Sequence, residues 1–200
     1  MIKIYNSKFR IQNFQGGYTL VELLAVMAIV VVVGVIIAGI LISSLRGGSK
    51  SNVLDNVRQN GNDAITQMSK MIIYAQNFNG VSTDGVFYKT NCTQAIPPSP
   101  SPTPVPITYQ YIKITSFDRG QTIFSCNGLT IASNGASLID ISTVSVVANS
   151  CYFTCTQTNF GQAPTIGINL TLSQNTSSSF AEKQATIPFQ TSVTIRNRNL

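Results

Sequence analysis

Hydrophobic and polar positions divide the chain into stretches of different period. From Leu23 to Ile42, twenty residues carry no charged or strongly polar side chain: LLAVMAIVVVVGVIIAGILI. As a helix this run is about 30 Å long, the thickness of a bilayer's hydrocarbon core. Its β-branched content favours a strand in water, but the run is too long for one, and a lone strand in lipid cannot satisfy its backbone. A helix is therefore predicted. A secretory signal peptide fits poorly. Its apolar region is shorter, about 7–15 residues, and ends at a small-residue cleavage site. This run ends in Ser43-Ser44-Leu45-Arg46.

Helical spacing returns after Gly47-Gly48-Ser49, a glycine pair that predicts a bend or a melted turn. Between Asn52 and Asn77, Val53, Val57, Ala64, Met68, Ile72 and Ala75 form one stripe, widened by Leu54, Ile65 and Met71. Asn56, Gln59, Asn62, Asp63, Thr66 and Lys70 lie opposite. This amphipathic helix needs a sheet to cover, and its methionines read as core packing. Asn77, Asn79 and Gly80 end it. Anchor and continuation together predict a helix over roughly 18–78, about 90 Å if unbroken.

Beyond residue 80 the period shortens. Short strands are predicted over 85–90, 107–116, 121–125, 129–132, 144–147, 151–157, 165–173 and 185–196. Alternation is clearest in Ile166-Gly-Ile168-Asn-Leu170-Thr-Leu172 and in Ser192-Val193-Thr194-Ile195. Asn127-Gly128 and Asn134-Gly135 are hairpin signals. The expected fold class is α+β, with a long N-terminal helix packed on a C-terminal antiparallel β-sheet. Ile96 to Pro106 holds six of the eight prolines. It reads as an extended, exposed loop between strands; partner binding or glycosylation is the rival reading.

Composition changes this picture in three places. There is no His, which removes Ser-His-Asp and Cys-His catalysis and His-ligated metals. The acids outside the anchor (Asp55, Asp63, Asp84, Asp118, Asp140, Glu182) are scattered, and no nucleotide-binding or nucleophile-elbow motif occurs. No enzyme activity and no cofactor are expected. Ser, Thr, Asn and Gln total 71 of 200 residues against 20 charged ones, a surface suited to an extracytoplasmic domain. Four cysteines, Cys92, Cys126, Cys151 and Cys155, lie in the β-rich part and predict two disulfides with three possible connectivities. In a continuous strand Cys151 and Cys155 stand about 13 Å apart, too far to bond to each other. Zinc is the weaker reading, since His and a C-x-x-C spacing are both missing.

The residues before the apolar run carry a resemblance. A basic leader (Lys3, Lys8, Arg10) reaches Gly16-Gly17, then Tyr18-Thr19-Leu20-Val21-Glu22-Leu23-Leu24. This resembles the prepilin-type signal of the type IV pilin and type II secretion pseudopilin family. The order of elements and the closing Thr-Ser-Val-Thr-Ile-Arg196-Asn197 are most similar to J-type pseudopilins and W-type minor pilins. The resemblance implies cleavage by prepilin peptidase between Gly17 and Tyr18, with methylation of Tyr18. It departs from the family in one place, since the first mature residue there is most often Phe. It also implies that Glu22 neutralises a neighbouring subunit's N-terminal amine during assembly, a strong attraction at low dielectric. The implied partners are other pilin subunits, the peptidase, the cytoplasmic membrane and a filament assembly platform.

The expected organisation is then a leader at 1–17, a transmembrane and assembly helix at 18–45, an amphipathic continuation at 46–80, and an extracytoplasmic domain at 81–200. Basic residues before the run place the N-terminus inside. The alternative function is a monomeric, single-pass anchored surface domain for binding or adhesion. The formal charge of +6 tempts toward nucleic acid, but Lys3, Lys8 and Arg10 supply half of it. With no clustered Lys/Arg stripe elsewhere, no direct nucleic-acid binding is expected.

Overall fold

A computed structural model describes residues 17–93, 107–159 and 162–196. The basic leader, Gly16, the Pro-rich loop at 96–106 and Asn197 lie outside the described residues. The chain divides into two compact units, Met1–Leu45 and Arg46–Leu200. In the first, helix α1 (Leu20–Ile73) begins, and its residues from Leu20 to Leu45 are exposed all round. In the second, α1 continues without interruption through Gly47 and Gly48. The helix has no melted turn there. Each glycine weakens a helix by about 1 kcal/mol, but helix propagation is cooperative and the packed turns that follow hold the register.

The stripe predicted for the second half of α1 is the face that is buried. Val57, Ala64, Met68 and Ile72 are fully covered, while Asn56, Gln59, Asn62, Asp63, Thr66 and Lys70 are exposed. Gly61 is buried in the same stripe, where a Cβ would overlap the ring of Phe189. The helix ends five residues earlier than predicted, at Ile73 instead of 78. The Arg196 N–H donates to the Ile73 carbonyl at 3.1 Å and the Gln76 N–H to Thr115 O at 2.8 Å. The first satisfies a carbonyl left unpaired at the helix terminus, and the second starts the pairing with the strand Tyr111–Thr115.

The chain then enters a strand that the sequence reading missed, β1 (Asn77–Ser82). Its Asn77, Asn79 and Gly80 resemble a helix stop, and the alternation places the strand at 85–90 instead. Residues 84–87 form a turn, and of the predicted strand only Lys89 bridges back to Val81. The remaining strands are β2 (Thr108–Tyr109), β3 (Tyr111–Thr115), β4 (Gln121–Asn127), β5 (Thr130–Ser133), β6 (Ala136–Ser137), β7 (Val144–Val146), β8 (Tyr152–Thr156), β9 (Thr165–Gln174) and β10 (Thr186–Thr194). They make two antiparallel sheets instead of the single one expected. One has the order β1-β3-β4-β5-β6; the other has the order β10-β9-β8-β2, with β7 also pairing with β9. The chain passes from the second sheet to the first at Gln110, between β2 and β3.

The core lies where α1 and the inner faces of the sheets meet. Ile112 and Ile114 of β3, Phe124 of β4, Phe153 of β8 and Ile166, Ile168, Leu170 and Leu172 of β9 are essentially sealed from solvent. Both hairpin signals are real turns. Asn134 and Gly135 have φ of 49° and 84°, the pair of positive values that a type I′ hairpin requires. Gly128 has φ 63° at the first position of the two-residue β4–β5 turn. At the edge strand β10, Ala185 and Ile195 take part in hydrogen bonds on the β9 side, so even-numbered positions direct their backbone groups away from β9. Pro188 occupies one of these, where its missing N–H costs the ladder nothing and blunts the open edge.

Candidate functional site

The residues singled out for processing and assembly sit at the start of α1. Tyr18 is 84% exposed, and among the described residues nothing lies within 4 Å of where a Cβ on Gly17 would be. Thr19 caps the helix. Its hydroxyl accepts the Glu22 N–H at 3.2 Å, and Glu22 Oε2 accepts the Thr19 N–H at 3.4 Å and the Thr19 hydroxyl at 3.5 Å. This is a reciprocal capping box, in which two otherwise unpaired backbone donors are satisfied by each other's side chains. The signal was present in the sequence as Thr-x-x-Glu but was not read as a cap. The carboxylate also lies at the positive end of the helix dipole.

Downstream of Glu22 the helix has no polar face up to Ser43. Large apolar side chains on every side of it are about half exposed or more, among them Leu23, Val26, Ile29, Val33, Ile36 and Ile40. Fully burying one such side chain is worth about 1.5–3 kcal/mol. A helix apolar all round therefore calls for lipid or other helices as its environment. It is long and apolar enough to cross a membrane.

The four cysteines form two disulfides, Cys92–Cys155 and Cys126–Cys151, with Cα separations of 5.5 and 5.4 Å. Cys151 immediately precedes β8, Cys155 lies near its far end, and the two bond away from each other. Cys126–Cys151 joins β4 of the first sheet to the approach to β8 of the second. Cys92–Cys155 fastens the stretch before residue 94 to β8. With all four thiols oxidised, none is free to bind zinc.

Asp84 and Asp140 are committed to their own turns. Asp84 Oδ1 accepts the Ser82 hydroxyl at 2.7 Å and the N–H groups of Val86 and Phe87 at 2.9 and 3.1 Å. These bonds, the Ser82 hydroxyl first, hold its pKa down at about 2. Asp140 is lowered in the same way, chiefly by the Ser142 hydroxyl and N–H. Asp55 faces Arg58 at 3.9 Å, and Glu182 faces Arg46 at 4.0 Å, at partly or largely exposed sites. Beside the second pair, Lys50 donates to the carbonyls of Ala181 and Gln184, which moors the β9–β10 connection to α1. Among the described residues no three His, Cys, Asp or Glu side chains gather as metal ligands.

No protein-family profile, curated protein or solved structure matches this chain. The supported description is therefore an α+β protein: a long N-terminal helix with a membrane-compatible first part, followed by a disulfide-linked antiparallel β domain.

Proposed function

We propose that this chain is a structural subunit of a type IV pilus or type II secretion-like filament, a minor pilin or pseudopilin. The observation that carries the reading is the string Gly16-Gly17-Tyr18-Thr19-Leu20-Val21-Glu22 set directly before a helix with no polar face. Gly17 and Tyr18 lie outside the helix and are exposed, as a peptidase substrate must be. After cleavage the new amine at Tyr18 would precede an apolar rod that can leave lipid only by packing against other such rods. Glu22 is the one acid within reach of that seam. In a low-dielectric bundle it would attract a neighbour's amine and set the stagger between subunits. The β domain stays extracytoplasmic, in keeping with its disulfides.

The test is the mature N-terminus, read by mass spectrometry on protein from the native membrane. A chain that starts at methylated Tyr18 supports the proposal. A chain that retains the leader would sink it in favour of a monomeric anchored domain.

A further inference from the structure

A cleft of about 390 Å³ opens in the β domain at the place where the chain passes between its two sheets. Pockets for small molecules run from about 300 Å³ upward. One wall is the β4–β5 turn, with Asn127 and Leu129; the other is the β7–β8 turn, with Asn149. Gln110 and Thr83 complete the rim. The Cys126–Cys151 disulfide joins the two walls, so their spacing is fixed covalently.

The chemistry of this cleft is uniform. No charged side chain lines it. Its polar side chains are the amides of Gln110, Asn127 and Asn149 and the hydroxyls of Thr83 and Tyr111, and among the described residues none of these five side chains makes a hydrogen bond. Some other amides of the domain are spent internally: Asn134 binds the backbone of β4 through both atoms of its amide, and Gln157 uses both of its own. In the cleft three amides, each able to donate and accept at once, are left for a ligand. Leu129, 63% exposed, and the half-buried ring of Tyr111 add apolar surface beside them. Asn149 holds φ at 60° in a turn closed by the Ser150 N–H on Val147 O, a conformation that non-Gly residues adopt uncommonly.

We propose that this cleft binds a neutral saccharide. Vicinal hydroxyls donate and accept in alternation, as side-chain amides do, and a sugar's C–H face suits Leu129 and Tyr111. An anionic ligand would find no cation in the lining, and a wholly apolar one would strand the amides. The inference is independent of filament assembly, since every residue it uses belongs to the β domain.

The test is amide NMR on the full chain in phosphocholine micelles, which carry no sugar headgroup, titrated with lactose, maltose, cellobiose and chitobiose. At least one should give saturable shifts centred on Asn127, Gly128 and Asn149. Asn127→Ala, and Asn149→Gly, which keeps the positive φ, should each weaken that binding about threefold to tenfold, as expected for one lost hydrogen bond. Spectra elsewhere should stay unchanged. No saturable shift with any of the four sugars would overturn the proposal. So would shifts that persist at full strength in both variants, or tighter binding of an anionic sugar such as galacturonate.

Discussion

The ring of Phe189 in β10 rests on Gly61 of α1, in space that any side chain at position 61 would fill. The contact fixes how closely the helix approaches the second sheet, because the missing Cβ lets the ring meet the backbone. Judged by helix propensity alone, Gly61→Ala should stabilise the chain by about 1 kcal/mol. Judged by packing it should destabilise, and overlap in a filled core typically costs about 1–3 kcal/mol. Packing wins here, since the position is buried and the ring belongs to a strand nine residues long. Gly61→Ala should lower the thermal midpoint of the full chain in micelles, and Phe189→Leu added to it should recover part of the loss. A rise in midpoint for Gly61→Ala alone would show that the ring moves aside freely.

The capping box separates two roles that Glu22 could play. Gln at this position preserves the reciprocal cap but removes the charge. On the proposed filament reading, Glu22→Gln should therefore leave the first turn of the helix ordered in micelles while abolishing entry into filaments. Thr19→Ala should do the reverse. It should fray the first turn, at a cost of about 0.5–2 kcal/mol, and still allow assembly. Amide exchange at Leu23 and a sheared-filament assay read the two effects. If Glu22→Gln assembles as wild type does, the carboxylate serves the helix end alone.

Peptide mapping without reduction should recover Cys92 with Cys155 and Cys126 with Cys151. The bridges close loops with sequence separations of 63 and 25 residues. In the chain-entropy account, loss of either costs about 3–4 kcal/mol, with the longer loop losing slightly more. Paired Cys→Ser variants should follow that order in denaturant midpoint. A cross-linked peptide joining Cys151 to Cys155 would contradict the β8 geometry.

Asp84 gives the turn after β1 a defined acid limit. Its carboxyl titrates at about 2 in the folded chain, below the ordinary 3.8, because the Ser82 hydroxyl and the Val86 and Phe87 N–H groups bind the charged form. A depressed folded pKa stabilises above the unfolded value. The contribution is complete above about pH 4 and is lost as pH falls toward 2. Exchange of the Val86 and Phe87 amides, measured with correction for intrinsic rates, should stay protected at pH 4 and lose protection toward pH 2. Asp84→Asn should lower protection at both values.

The long periodic elements were legible in the sequence, and the places where local signals compete were not. The α1 stripe from Val57 to Ile72 and the alternation of β9 were read residue by residue, because one face of each is buried along most of its length. Strand β1 was missed because Asn77, Asn79 and Gly80 look like a helix stop. Gly80 is there for another reason: with φ at 120° it leaves room for the Lys89 backbone, which a Cβ would strike. The split into two sheets turns on the single residue Gln110 between two apolar runs, and no period marks that crossing. At the helix start the string that resembles a processing signal also encodes the cap that Thr19 and Glu22 form. The amide-lined cleft joins residues from four distant segments, so no local pattern announces it.

The central claim is that Gly17-Tyr18 is a processing junction and that the helix beyond it is an assembly rod. Intact mass and N-terminal sequencing of the protein from its native membrane test this most directly. The account predicts a chain that begins at Tyr18 and carries one added methyl group on its amine. A membrane-resident chain with residues before Tyr18 still attached would contradict it.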